Sequence, residues 1–237
     1  MSDMEPVDFA QIVRKKIKGW YRTDELYQRA VERIVKQRDE IISLLKTVEK
    51  VDVGRLLEYL DKSGFYYRPS SANKHHNFPG GLAEHALGTF RIVEKWNELS
   101  AEERRKDELY KKKLADKKTG CDVLTEKMSH DDMVIAAICH DLCKAEHFYF
   151  RGREIKEHTS DDELKRRHSE LSARRLIANG IDSPECDEIL LAVRNHMRLF
   201  SWSMTKWQKE LRDKGRKSML AIAVWAADKL DAGRHPG

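Results

Sequence analysis

The run Met133-Val-Ile-Ala-Ala-Ile-Cys139 is apolar throughout and stops abruptly on His140-Asp141-Leu-Cys-Lys144, which brings an imidazole, a carboxylate and an amine. A helix that is apolar on every side belongs in the centre of a domain, so its end is deep as well. A carboxylate placed there has to be paired, hydrogen-bonded or bound to a metal ion. Adjacent helical residues point about 100° apart, yet a cation held in the groove between them is within reach of both. One imidazole nitrogen and one carboxylate oxygen make half a metal site. Taken alone the dipeptide is a weak signal, read equally well as a satisfied core histidine with a capping aspartate.

Four further segments carry groups of the same kind. After Gly80-Gly81 the spacing of Leu82, His85, Ala86, Thr89, Phe90, Val93 and Trp96 predicts a helix that turns His85 inward, where it needs a partner. A helix over Asp161 to Ala178, closed by Asn179-Gly180, contains His168. Ser183 as N-cap and Pro184 at the first position open another, which carries Ile189, Leu190, Val193 and then His196. The apolar run Ser218 to Leu230 closes on Asp228-Lys-Leu-Asp231. Mixed imidazole and carboxylate donors suit Mn, Fe, Co, Ni or Zn rather than calcium. Six such donors exceed the need of one tetrahedral zinc, and they suffice for two divalent ions sharing a carboxylate.

The elements that must position these groups are helices. Only 5 prolines and 12 glycines punctuate 237 residues, and 36% of them are charged, which favours surface-charged helices over a meander of strands. The net charge of +5 is the small remainder of 45 basic and 40 acidic residues, a balance that permits a phosphate-bearing substrate without requiring one. Residues 5–50 read as helix, with Thr23-Asp-Glu as an internal N-cap and a wide apolar stripe from Tyr27 to Val48. The same stripe leaves room for a homodimer through this helix. Val53 to Leu60 forms a short helix stopped by Gly64. Residues 100–128 alternate charge signs and read as a solvated helix and a loop, an insertion without chemistry. Aromatic alternation about Gly152, from Phe148 to Ile155, predicts one small β-hairpin at the rim of a pocket. Cys121, Cys139, Cys143 and Cys186 form no CxxC pair and read as reduced thiols. A polar start and the lack of any apolar run of about 18 residues predict neither export nor membrane insertion, hence a cytoplasmic protein.

Taken in order, His-His-Asn-Phe-Pro-Gly-Gly-Leu-Ala-Glu-His85, Cys-His140-Asp141-Leu-Cys-Lys144, Arg-His168-Ser-Glu-Leu-Ser, Arg-Asn-His196-Met and Ala-Asp228-Lys-Leu-Asp-Ala resemble the HD-domain superfamily of metal-dependent phosphohydrolases over about residues 75–231. The resemblance implies an all-α helical bundle at 66–237 with an N-terminal helical extension at 1–65. It also implies metal binding by His85, His140, Asp141 and Asp228, with His168 and His196 completing a second site and Asp141 bridging the two. Many relatives read His-Asp-Ile-Gly-Lys, where this chain has Cys143. No Gly-Tyr-Pro signature follows, so cyclic-dinucleotide specificity is not carried over.

The chemistry implied is hydrolysis of a phosphate ester or phosphodiester, of a nucleotide or nucleic acid, by hydroxide held on one or two divalent transition metals. Asp141 and Lys144 are the catalytic candidates, and Lys74, His76 and Arg194 the candidate substrate contacts. Arg198 reads as a solvated charge, and His130, His147, His158 and His235 as surface or locally hydrogen-bonded groups. Two alternatives share the ligand set: a di-iron oxygenase acting on a small phosphonate or polyol, and a nucleic-acid-processing module.

Overall fold

The computed structural model describes residues 8–158, 161–200 and 205–234. Among them eleven α-helices and one antiparallel strand pair make up an all-α bundle. Its centre is four helices: α4 (Gly81–Glu98), α6 (His130–Cys139), α9 (Asp187–Asn195) and α11 (Met219–Arg234). Helix α4 packs on α6 and α11, and α9 packs on the same two from the other side. Every residue from Met133 to Cys139 is buried, as an all-round apolar helix requires. Helix α8 (Asp161–Ala178) covers α9.

The helix predicted for residues 5–50 is two helices. Helix α1 (Phe9–Lys16) stops before Gly19, whose φ of +84° ends regular helix, and α2 (Asp24–Leu45) begins at Thr23, whose hydroxyl accepts the Leu26 N–H. Residues 5–7 lie outside the described residues. Helix α2 lays its apolar stripe on α4 and α6 of its own chain, so one apolar core runs from Val13 and Ile34 through to Leu230. Helix α3 (Gly54–Ser63) ends on Gly64 in the left-handed conformation.

Segment 100–128 departs from the solvated helix predicted for it. It holds only α5 (Ala101–Lys106) and a π-type turn, Tyr110–Leu114, and it buries Arg104, Leu109 and Leu114. The Arg104 guanidinium lies 4.6 Å from the Trp96 ring centre and donates to the carbonyls of Trp96, Asn97, Leu124 and Glu126. A positive charge thus sits against the last carbonyls of α4, where the helix dipole is negative. Ser183 opens a short 3-10 turn, Pro184–Cys186, and makes no side-chain cap to it. Helix α11 runs on past Asp228 to Arg234, so Asp228 lies within the helix and not at its end. Beyond α7 (Lys144–His147) the predicted hairpin is present as β1 (Phe148–Arg151) and β2 (Glu154–Glu157), paired from Phe148 with Glu157 to Arg151 with Glu154. Helix α10 (Lys206–Gly215) precedes α11. No described helix is long and apolar enough to cross a membrane.

Candidate metal centre

The entry to α4 is built by glycine. Gly80 has φ +84°, and a Cβ on Gly81 would lie 2.0 Å from the His76 carbonyl oxygen, so the loop before the helix folds directly onto its first turn. That carbonyl accepts the Ser70 N–H, and His76 itself is at φ +53°, the left-handed region. A histidine is held there only where its surroundings over-determine it, and such strain collects at functional sites. The loop thereby brings His75 and His76 against the His85 ring, with ring centres 5.0 and 5.2 Å away.

The donors from α4, α6, α8, α9 and α11 converge. His85 Nε2 lies 3.1 Å from His140 Nε2, 3.2 Å from Asp228 Oδ1 and 3.6 Å from Asp141 Oδ2. His140 Nε2 is 3.5 Å from Asp141 Oδ2 and 3.9 Å from Asp228 Oδ1. The second Asp141 oxygen, Oδ1, faces the other way, 3.6 Å from His168 Nε2 and 3.4 Å from His196 Nε2. Metal–ligand bonds of about 2.1 Å keep two donors of one ion within about 4.2 Å of each other. All of these separations meet that limit.

The residues present therefore fit one divalent ion among His85, His140 and Asp228 and a second among Asp141, His168 and His196; a third group of close donors, His75, His76 and His85, shares His85 with the first. Buried polar atoms support the same reading. Asp141 Oδ1 and His196 Nε2 are buried and make no hydrogen bond, while His196 Nδ1 donates to the Val193 carbonyl at 2.7 Å and leaves the Nε2 lone pair for a ligand. His140 Nδ1 donates to the Ala137 carbonyl at 2.8 Å in the same manner.

The surroundings hold these side chains in place. His85 Nδ1 is 2.7 Å from Asp231 Oδ2, a carboxylate behind a ligand histidine. The Asp228-Lys-Leu-Asp231 spacing puts both acids on one helix face, a signal in the sequence that identifies Asp231 once the face is known. Gly88 makes the approach possible, since a Cβ there would stand 2.2 Å from Asp231 Oδ1. Cys143, where many relatives have glycine, donates its thiol to the His168 carbonyl at 3.3 Å and its N–H to Ser172, tying α8 to the centre. All four cysteines are free thiols. Asp231→Asn is expected to weaken metal binding by about 10- to 100-fold, the usual cost of losing such a partner. Gly88→Ala should do the same by displacing Asp231. Unchanged metal affinity in both variants, measured by calorimetry, would contradict the role given to Asp231.

Burial and charge pull the histidines in opposite directions. Burial lowers His168 to about 3 and His75 to about 4, and it also lowers His196. At His85 burial is outweighed by hydrogen bonds to Asp228 and Asp231, which raise it to about 9. Against burial, Lys144 and His140 hold Asp141 well below the carboxylate range, and Lys229 and His85 do so for Asp228. Below an unfolded value of about 6.5 the unfolded chain binds protons that His168 and His75 refuse when folded, so stability falls with falling pH, by about 1.4 kcal/mol at pH 5.5 for His168. The contribution of His85 is complete below about 6.5 and is lost as pH rises through 9. The metal-free protein is accordingly expected to be most stable near neutrality. Urea midpoints of chelator-stripped protein from pH 5 to 9 check this, and a midpoint that climbs steadily toward pH 5 would contradict it.

A cavity of about 130 Å³ opens on this cluster. Lys74, Asp141, Lys144, His168 and Asp228 line it, and Lys144 Nζ lies 2.6 Å from Asp141 Oδ2. His75 is in the wall, whereas His76, named from the sequence as a substrate contact, is buried behind it, 3.6 Å from Asp231. Arg194 also lies outside the lining, bonded to Glu170 at 3.1 Å. The sequence reading missed Lys229, which lines the cavity and is held 2.9 Å from Asp228 Oδ2. Among the remaining histidines, His147 is buried beside Glu157, His158 stacks on Tyr149 and His130 bonds Thr47. His235 lies outside the described residues.

Five helices of an all-α bundle thus bring together two imidazole–carboxylate groups compatible with divalent metal ions. A family model described as HD domain matches residues 82–233, and the chain belongs to that family. Membership carries metal-dependent phosphohydrolase-type activity in general terms. Searches of curated proteins and of solved structures gave no match.

Proposed function

We propose that this protein hydrolyses a phosphate ester or phosphodiester of a nucleotide or nucleic acid. The observation that carries the reading is Asp141, whose two oxygens face two different histidine pairs at the wall of a cavity that also presents Lys74, Lys144 and Lys229. When bound, a pair of divalent ions supplies Lewis acidity toward phosphoryl oxygens and lowers the pKa of water.

The chain's own residues do the rest. Asp141, held ionised, joins the two donor groups, and Asp228 completes the first. The Lys144 and Lys229 amines are fixed by Asp141 and Asp228 at the cavity wall, where they offset negative charge on a phosphoryl group without reorganising. Lys74 adds a third amine. The His75 Nε2 is buried without a hydrogen bond, so the neutral ring can accept a proton and return it to the leaving oxygen.

The test is a screen of chelator-stripped protein with Mn, Co, Ni, Zn and Fe(II) against mononucleotides, cyclic nucleotides and short oligonucleotides. The expected result is release of phosphate or a nucleotide only when a metal is restored. Turnover that consumes O₂, or no release with any metal, would overturn the reading.

A further inference from the structure

A cavity of about 130 Å³ is well below the roughly 300–1,000 Å³ of pockets that enclose a nucleoside-sized ligand. Only the phosphoryl end of a nucleotide substrate fits inside it, so the remainder must lie on the surface outside. The hairpin is the element that leads away from the opening. Its base pair, Phe148 and Glu157, is part of the cavity wall. Its far end reaches a second recess, where Arg153 Nε donates to the Gly19 carbonyl at 3.3 Å.

That second recess, between α1 and α2, has a volume of about 500 Å³. Arg14, Lys15, Lys18 and Arg22 line it together with Tyr21 and Tyr27, and Asp24 is the one acid in its wall. No ion pair joins any of these four cations to a carboxylate among the described residues, whereas basic side chains elsewhere in the fold, such as Arg29, Arg38 and Arg91, are paired. Arg14 and Lys15 also complement the negative end of α1, but Lys18 and Arg22 lie beyond that helix and have no such role.

Between the two recesses the hairpin presents aromatic and basic side chains, together with one exposed acid, Glu154, which is paired with Lys156. Trp20 packs edge-on against Phe150 at 4.9 Å, Tyr149 stacks on His158, and Arg151 and Arg153 are exposed at the turn. Four-residue strands span about 13 Å, a distance that a few nucleotides of an extended strand cover. Cations that follow a backbone, with aromatic faces between them, are the features by which proteins hold single-stranded nucleic acid irrespective of sequence.

We propose that the α1–α2 recess and the hairpin form a binding track for single-stranded nucleic acid, along which one phosphate is delivered to the metal cavity. The choice of substrate end rests on the phosphohydrolase reading; the binding itself does not. The experiment therefore measures binding with chelator-stripped protein, using a fluorescein-labelled 12-nucleotide single strand across a salt series. The triple variant Lys15→Gln/Lys18→Gln/Arg22→Gln is expected to bind at least 10-fold more weakly, with the slope of log affinity against log salt reduced by about 2. Its metal-dependent hydrolysis of a small chromogenic phosphodiester should match wild type. Equal affinity and equal slope in wild type and variant would overturn the track, as would equally tight binding of poly-glutamate by the wild type. Photo-crosslinking of wild type to a 4-thiothymidine strand gives a second readout independent of any variant. Adducts at Trp20, Tyr149 or Phe150 support the track, and adducts confined to other surfaces refute it. Loss of hydrolysis on every substrate with strand binding intact would remove the phosphohydrolase reading and leave the track standing.

Discussion

Asp141→Ala is expected to lower turnover by at least about 10³-fold and to reduce bound metal from two ions to one or none. The reason is topological as much as chemical. Asp141 Oδ2 lies 3.6 and 3.5 Å from His85 and His140, while Oδ1 lies 3.6 and 3.4 Å from His168 and His196. No other carboxylate among the described residues is placed within reach of both pairs, so its loss leaves His168 and His196 without the acid of their group. Charge stabilisation by a bound metal is worth several kcal/mol, and each 1.36 kcal/mol is tenfold in rate, which gives the magnitude. Alanine also leaves the buried Lys144 ammonium, 2.6 Å from the lost oxygen, without its partner, so some of the effect could come from misfolding. Asp141→Asn keeps the shape and separates the two causes. It is expected to fold at wild-type yield and still lose the second ion. Elemental analysis together with turnover numbers decides the matter, and wild-type metal content in both variants would refute the bridging role.

The second large effect concerns stability and falls far from the cavity. Arg104→Ala is expected to cost about 4 kcal/mol in urea denaturation. Hydrogen bonds to a charged group contribute about 1.5–3 kcal/mol each, and cavity formation under Trp96 adds to their loss. The guanidinium donates to four backbone carbonyls at 2.8 to 3.0 Å and is fully buried. It ties the end of α4 to the loop around residues 123–126, and α4 carries His85. Arg104→Lys retains the charge but not the planar fork, so it cannot reach all four carbonyls, and about half the cost is expected. A change below about 1 kcal/mol in both variants would mean that water replaces the guanidinium without penalty.

The helices that carry the centre were legible because burial writes itself into composition. An apolar run such as Met133 to Cys139 has no polar face to expose, and the polar groups that end it must then be satisfied inside the protein. The family resemblance allotted the donors to two sites, and the separations between them are compatible with that allotment. Residues 100–128 misled for the converse reason. Arg104 is charged, and pattern reading sends charge to solvent, yet here the free carbonyls at the end of α4 create a buried anionic place for it. The break between α1 and α2 was partly written, since Thr23 announces the second helix, but Gly19 had to adopt a positive φ for the chain to turn there.

Which of two neighbouring histidines meets the cavity lay beyond any pattern. His75 and His76 are adjacent in a loop without period, and their fates are set by the left-handed turn at His76 and by its carbonyl resting on Gly81. Sequence by itself determined the helices, the donor types and the ends of helices where they sit, because hydrophobic burial acts locally and repeats with the helical turn. Only the tertiary structure decided which oxygen of Asp141 faces which pair, that Asp231 stands behind His85, and that Lys229 rather than Arg194 enters the wall. Those outcomes depend on distances between segments far apart in the chain, and such distances are fixed by packing, where a glycine at position 88 lets two helices approach.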